Sequence, residues 1–146
     1  MNPPYPEPGE LLALMPFAGL TGVEVESAGP DEVVARLPWA AERCTAGGVL
    51  HGGALVTLAD AAAGICAYLS LPDGASTSTI ELKTNFFSAV RGGAVVAVAR
   101  PLHRGASFIV VQTDLYDHRG RAGDGRTGPH RVAQTTQTQA VLRPRG

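Results

Sequence analysis

The sequence predicts an α+β domain, a curved antiparallel sheet wrapped around one long central helix. Three observations carry this. Residues 52–71 are almost wholly apolar and rich in Ala and Leu, which are strong helix formers. Two strand-like runs precede that stretch and four follow it, with turn chemistry between them. A long meander of strands needs one face covered, and the apolar stretch is the one candidate cover.

The elements follow in order. Residues 1–8 are proline-rich and read as a loose arm. Gly9 to Met15 reads as a short helix ended by Pro16. Leu20 to Ser27 alternates, with Val23 and Val25 on one side and Glu24 and Glu26 on the other, as a half-buried strand does. Gly29-Pro30-Asp31 turns the chain into a second strand, Glu32 to Leu37, which Pro38 stops. Residues 39–50 lack periodicity, and Gly47-Gly48 marks a loop. The central helix runs from Gly52 to Leu69 and ends at Pro72-Asp73-Gly74. Strands follow at Ser76 to Ser88, Ala94 to Leu102 and Ser107 to Asp117, separated by Gly92-Gly93 and Arg104-Gly105. His118 to His130 is glycine-rich and charged, a long loop, and Arg131 to Leu142 is a last strand with β-branched Val132, Thr136 and Thr138.

Composition narrows the function classes. The chain has 146 residues, enough for a single domain with a real core. Its 12 basic and 13 acidic residues give a net charge of −1, so no global basic field attracts nucleic acid or an anionic membrane. Arginines concentrate from Arg91 onward, which suits an anionic small molecule or a solvated surface. Cys44 and Cys66 match no metal or redox motif, the four histidines are scattered, and the N-terminus does not read as a signal peptide. A cytoplasmic protein without metal or cofactor is expected. Asp60 in the middle of the apolar stretch argues against a membrane span, because a carboxylate at mid-bilayer costs about 2.5 kcal/mol or more.

Two features carry chemistry. Asp60 is the sole charged side chain between His51 and Asp73, and a carboxylate held there loses hydration unless it finds partners. His51-Gly52-Gly53 stands where the helix begins. Glycine lets a ligand approach the backbone, and the first N–H groups of a helix lack intrahelical partners at the positive end of its dipole. A carbonyl oxygen gaining negative charge fits such a place. Gly52 and Asp60 are eight residues apart, about 12 Å along a straight helix. One carbonyl does not easily touch both within one chain, so the spacing argues for a site shared between two subunits.

The run from Leu50 through His51-Gly52-Gly53 to Asp60 resembles the helix-opening motif of the hotdog-fold thioesterases of the phenylacetate-pathway (PaaI) type. Thr79 to Phe87 is similar to the strand that follows the helix in that family, and the likeness extends through Arg104-Gly105-Ala106-Ser107 to the last strand. It spans about residues 20–142. The resemblance implies a hotdog domain over 20–146 behind an arm and short helix at 1–19. It also implies hydrolysis of an acyl-CoA with an aromatic or medium-chain acyl group, coenzyme A being part of the substrate.

By the same resemblance, Gly52 polarises the thioester carbonyl, and Asp60 from a partner subunit is general base or nucleophile. Thr79 orients the water and His51 supports the loop. Thr45 falls where many members carry Asn, a departure, since threonine cannot reproduce both amide functions. Gly53, Arg104, Gly105 and Ser107 are implied in substrate binding, with Arg119, Arg121 and Arg126 as further phosphate contacts. Phe86, Phe87, Tyr68 and Trp39 suit either an acyl pocket or core packing. A homodimer with shared sites, assembling to a homotetramer, is expected. The alternative on the same scaffold is a non-catalytic acyl-CoA binding protein. A hotdog hydratase would need a paired Asp and His in a different motif, which the sequence lacks.

Overall fold

The computed structural model describes residues 5–117 and 129–146. The chain begins with two short helices, α1 (Pro8–Ala13) and α2 (Pro16–Thr21). Strands β1 (Glu24–Ala28) and β2 (Val33–Pro38) follow, then two single 3-10 turns, then the long helix α3 (Gly52–Tyr68). Strands β3 (Ser76–Phe86), β4 (Ala94–Arg104), β5 (Phe108–Asp117) and β6 (His130–Leu142) complete the fold. The expected loop over 118–130 lies outside the described residues up to 128, and His130 opens β6.

The short helix expected before Pro16 is present as α1, which ends at Ala13, but Pro16 also opens a second helix that was not expected. Proline is favoured at the first helical position, where its missing N–H has no partner to lose. The helix it starts takes in Leu20 and Thr21, and Gly22 closes it in the left-handed region at φ 94°. The first strand therefore begins at Glu24 and not at Leu20. The Arg43 guanidinium fills the space a side chain at 22 would need, donating to the Thr21 and Pro38 carbonyls at 2.6 and 2.9 Å. Leu11 and Ala18 are buried in the same core as the sheet and α3.

All strand pairs are antiparallel, in the order β1-β2-β4-β5-β6-β3. Helix α3 lies on one face and packs against every strand. Its Leu55, Leu58, Ala59, Ala62, Ala63 and Cys66 meet Val33, Ala35, Leu37, Val95, Ala97 and Val111. Alanines on both sides let helix and sheet approach closely, and the leucines fill the remaining volume. No helix among the described residues is long and apolar enough to cross a membrane.

Two details of the sheet position the site. Strand β3 is an edge, paired on one side only with β6. It also carries a bulge: Thr79 faces Gln139 and Glu81 faces Thr138, so Ile80 is the extra residue. A bulge shifts the alternation of side chains by one. Thr77 and Thr79 point toward α3 before it, and Leu82 and Thr84 after it, while Ile80 stands 58 % exposed.

Candidate active site

Asp60 sits on α3 at the edge of a cavity of about 360 Å³ between that helix, β3 and α1. Two donors hold one of its oxygens. The Thr79 hydroxyl donates to Oδ1 at 3.1 Å, and the Gln137 amide donates to the same atom at 3.0 Å. Among the described residues nothing donates to Oδ2. The carboxylate is thus fixed by one oxygen and free at the other, an arrangement suited to receiving a proton from water. Gln137 was not anticipated from the sequence. It lies on β6 in a buried row with Thr135 and Gln139, all directed under the helix.

The start of α3 forms the second half of the candidate site. The His51 imidazole caps the helix, Nδ1 accepting from the Gly53 N–H at 2.8 Å. The Ala54 and Leu55 N–H groups reach the His51 carbonyl at 2.9 and 3.3 Å. Of the first four helical N–H groups, Gly52's alone lacks an acceptor among the described residues. Phe86 lies against Gly52, its ring 3.2 Å from where a Cβ would stand. Gly52 and Thr45 share a separate cavity of about 390 Å³ with Phe86, Phe87 and Val90. Gly52 and Asp60 therefore line different cavities of one chain.

A family model described as Thioesterase superfamily matches residues 47–123. The chain is 31 % identical to the 1,4-dihydroxy-2-naphthoyl-CoA hydrolase of Escherichia coli over 72 % of its own length and 77 % of the relative's. It is 32 % identical to the proofreading thioesterase EntH of Cronobacter turicensis, over 68 % and 73 %. The chain belongs to the thioesterase superfamily. Among solved structures it is similar to thioesterase HI1161 of Haemophilus influenzae, with TM-score 0.81 and 25 % identity over 95 % of this chain and 92 % of that one. The conserved protein PA5202 of Pseudomonas aeruginosa aligns with TM-score 0.74 and 36 % identity, over 86 % and 93 %. The fold is the hotdog thioesterase fold, and the enzyme is a thioester hydrolase.

The remaining candidate residues of this thioesterase fall elsewhere. Gly53 gives its N–H to His51, and a side chain at 53 would collide with that ring, its Cβ 2.9 Å from Nδ1. The Arg104 side chain is engaged within the fold, donating to the Pro30 carbonyl, to Asp31 Oδ1 at 2.7 Å and to Ser70 Oγ at 3.2 Å. It ties the β1–β2 turn to the end of α3, away from the Gly52 cavity. Gly105 and Ser107 close the adjoining β4–β5 turn through Gly105 N–H to Phe108 O and Val141 N–H to Ser107 O, both 2.8 Å. Arg119, Arg121 and Arg126 lie outside the described residues. Of the aromatics, Tyr68 lines the Asp60 cavity and Phe86 and Phe87 the Gly52 cavity. Trp39 packs on the core, its indole N–H donating to Gly48 O at 3.0 Å.

Proposed function

We propose that this thioesterase hydrolyses an acyl-CoA with an aromatic or medium-chain acyl group, at a site completed by two subunits. The observation that carries the reading is the Asp60 carboxylate, tethered through Oδ1 and open at Oδ2 beside a cavity lined largely by apolar side chains. Gly52 of the partner subunit supplies the free N–H. The thioester carbonyl oxygen accepts from that N–H and gains charge as water attacks the carbon. Asp60 takes the water's proton, the tetrahedral intermediate collapses, and the coenzyme A sulfur leaves and is reprotonated. Thr79 and Gln137 keep the carboxylate aimed, and Thr45 lies beside the thioester end.

Support for the dimer comes from the edge strand. β3 is long and, among the described residues, unpaired on its outer side, with Ile80 and Phe86 along it and Phe87 just past its end more than half exposed. A second β3 running antiparallel would satisfy its backbone and cover those side chains. Pairs of such dimers form the tetramer, in the cytoplasm. The relative that hydrolyses 1,4-dihydroxy-2-naphthoyl-CoA supports an aromatic acyl group. For the CoA end, the Arg104–Ser107 turn supplies a contact through the 41 % of the Arg104 side chain that stays exposed beside its bonds to Asp31, Pro30 and Ser70.

Asp60→Asn tests the reading. It keeps the acceptor for Thr79 and Gln137 but cannot take a proton. With benzoyl-CoA and hexanoyl-CoA and detection of free thiol, kcat falls about a hundred-fold or more with an unchanged thermal transition. A variant of full rate contradicts the assignment.

A further inference from the structure

We propose that Arg91 is a positioning residue for Thr45, holding the loop that carries it against the turn that follows β3. This rests on the thioesterase site proposed above and adds to it a residue that acts through another.

The cavity at Gly52 has two walls from distant parts of the chain. Thr45, Leu50 and Gly52 form one, and Phe86, Phe87 and Val90 form the other. At the base the walls are joined by backbone. The Leu50 N–H donates to the Val90 carbonyl at 2.9 Å, and both residues are buried. At the rim, Ala46–Gly48 makes no backbone bond to the other wall among the described residues. Two side chains hold that stretch instead. Arg91 donates from Nη1 to the Gly47 carbonyl at 2.8 Å, and Trp39 donates from its indole N–H to the Gly48 carbonyl at 3.0 Å. Trp39 is itself fastened to the turn, its backbone N–H reaching the Gly93 carbonyl at 2.8 Å.

The rim does not keep its shape unaided. Gly47 and Gly48 both lie in the left-handed region, at φ 77° and 71°. Glycine reaches that region without strain, but it also has more alternatives to move into. The Thr45 N–H closes the loop onto the Val49 carbonyl at 2.8 Å, so a shift at Gly47 is passed to Thr45. Arg91 has no other task within the chain. Among the described residues no carboxylate pairs with its guanidinium, and its one side-chain bond goes to Gly47. That bond is exposed and adds little to stability, because water competes for both partners. Its worth is geometric. A group displaced by about 1 Å from its working position costs up to about a hundred-fold in rate. A cationic donor anchored beside Val90 sets how far the Thr45 loop stands from the opposite wall.

The test uses full-length enzyme with benzoyl-CoA and hexanoyl-CoA. Arg91→Met keeps the stem and removes the donor. It lowers kcat about ten-fold with KM within about two-fold, and Arg91→Lys, which keeps a cationic donor, recovers most of the loss. In a Thr45→Val background the Arg91→Met loss disappears, because the hydroxyl it positions is gone. A residue that merely stabilises the fold would lower kcat equally in both backgrounds. Hydrogen exchange reads the fastening without turnover: the Thr45 amide, bonded to Val49, exchanges about ten-fold faster in Arg91→Met than in the wild type. An unchanged kcat in Arg91→Met, a loss undiminished by Thr45→Val, or an unchanged exchange rate each overturns the proposal. If the wild type hydrolyses neither thioester, the functional reading has failed, and the exchange rates then decide by themselves whether Arg91 holds the loop.

Discussion

Asp60 is held by neighbours from two different strands, and only one was legible. Its isolation among apolar residues singled it out, and the likeness to the helix-opening motif pointed to Thr79. Simple alternation along Ser76–Phe86 puts Thr79 on the opposite face from Leu82 and Thr84. The bulge at Ile80 brings it onto the same face, and a bulge leaves no clear mark in a single sequence. Gln137 was missed because the last strand shows itself through its β-branched residues, which say nothing of where its amides point. Had β6 been read with period two, Thr135, Gln137 and Gln139 would have emerged as one row beside Ala133, a polar stripe on the helix-facing side. Thr79→Val and Gln137→Met each remove one tether from Oδ1. Each is expected to lower kcat about ten-fold with a smaller effect on KM, read by steady-state kinetics. An unchanged kcat in both would show that the tethers do not position the carboxylate. Cys66 is a separate case at this scale. Burial pushes its thiol up from 9.0 to about 11, with Arg104 lowering and Asp31 raising it. The unfolded thiol loses its proton first, so it binds fewer protons than the native one between pH 9 and 11. Stability therefore falls as pH rises through that window, and Cys66→Ala flattens the slope of denaturation midpoint against pH.

The elements were largely readable because their signals are local. Helix α3 and strands β3 to β6 lie within a few residues of where composition and alternation put them. The N-terminal region was not, because proline carries opposite meanings: it stops a helix that precedes it and starts one that follows it. At α3 the same locality explains the free N–H. His51 takes the Gly53 N–H with its ring and two more with its carbonyl, leaving Gly52's without an acceptor among the described residues. His51→Ala removes the cap and is expected to cost about 1 kcal/mol of stability, measured by urea denaturation. It leaves the Gly52 N–H in place, so kcat falls far less than in Asp60→Asn. A loss as large as that of Asp60→Asn would mean that His51 acts in the chemistry itself.

At the scale of the whole molecule, the two parts of the proposed site, Asp60 with its tethers and Gly52 with an N–H that lacks an acceptor among the described residues, line separate cavities of one chain. The helix rise over eight residues made that separation calculable from sequence. What closes it belongs to the proposed assembly, and subunit mixing tests it most directly. Gly52→Pro removes the one N–H; the extended backbone of His51 before it (φ −62°, ψ 136°) admits a proline, whose Cβ stands 3.2 Å from the Phe86 ring, so that ring has to shift. Asp60→Asn removes the base. Each variant alone is inactive. Unfolded together in equal amounts and refolded, half of the dimers are mixed, and each mixed dimer has one intact site of two. The mixture is expected to regain about a quarter of wild-type activity. A refolded mixture, shown to contain mixed dimers by differential tagging, that stays as inactive as its components would contradict a site shared between subunits.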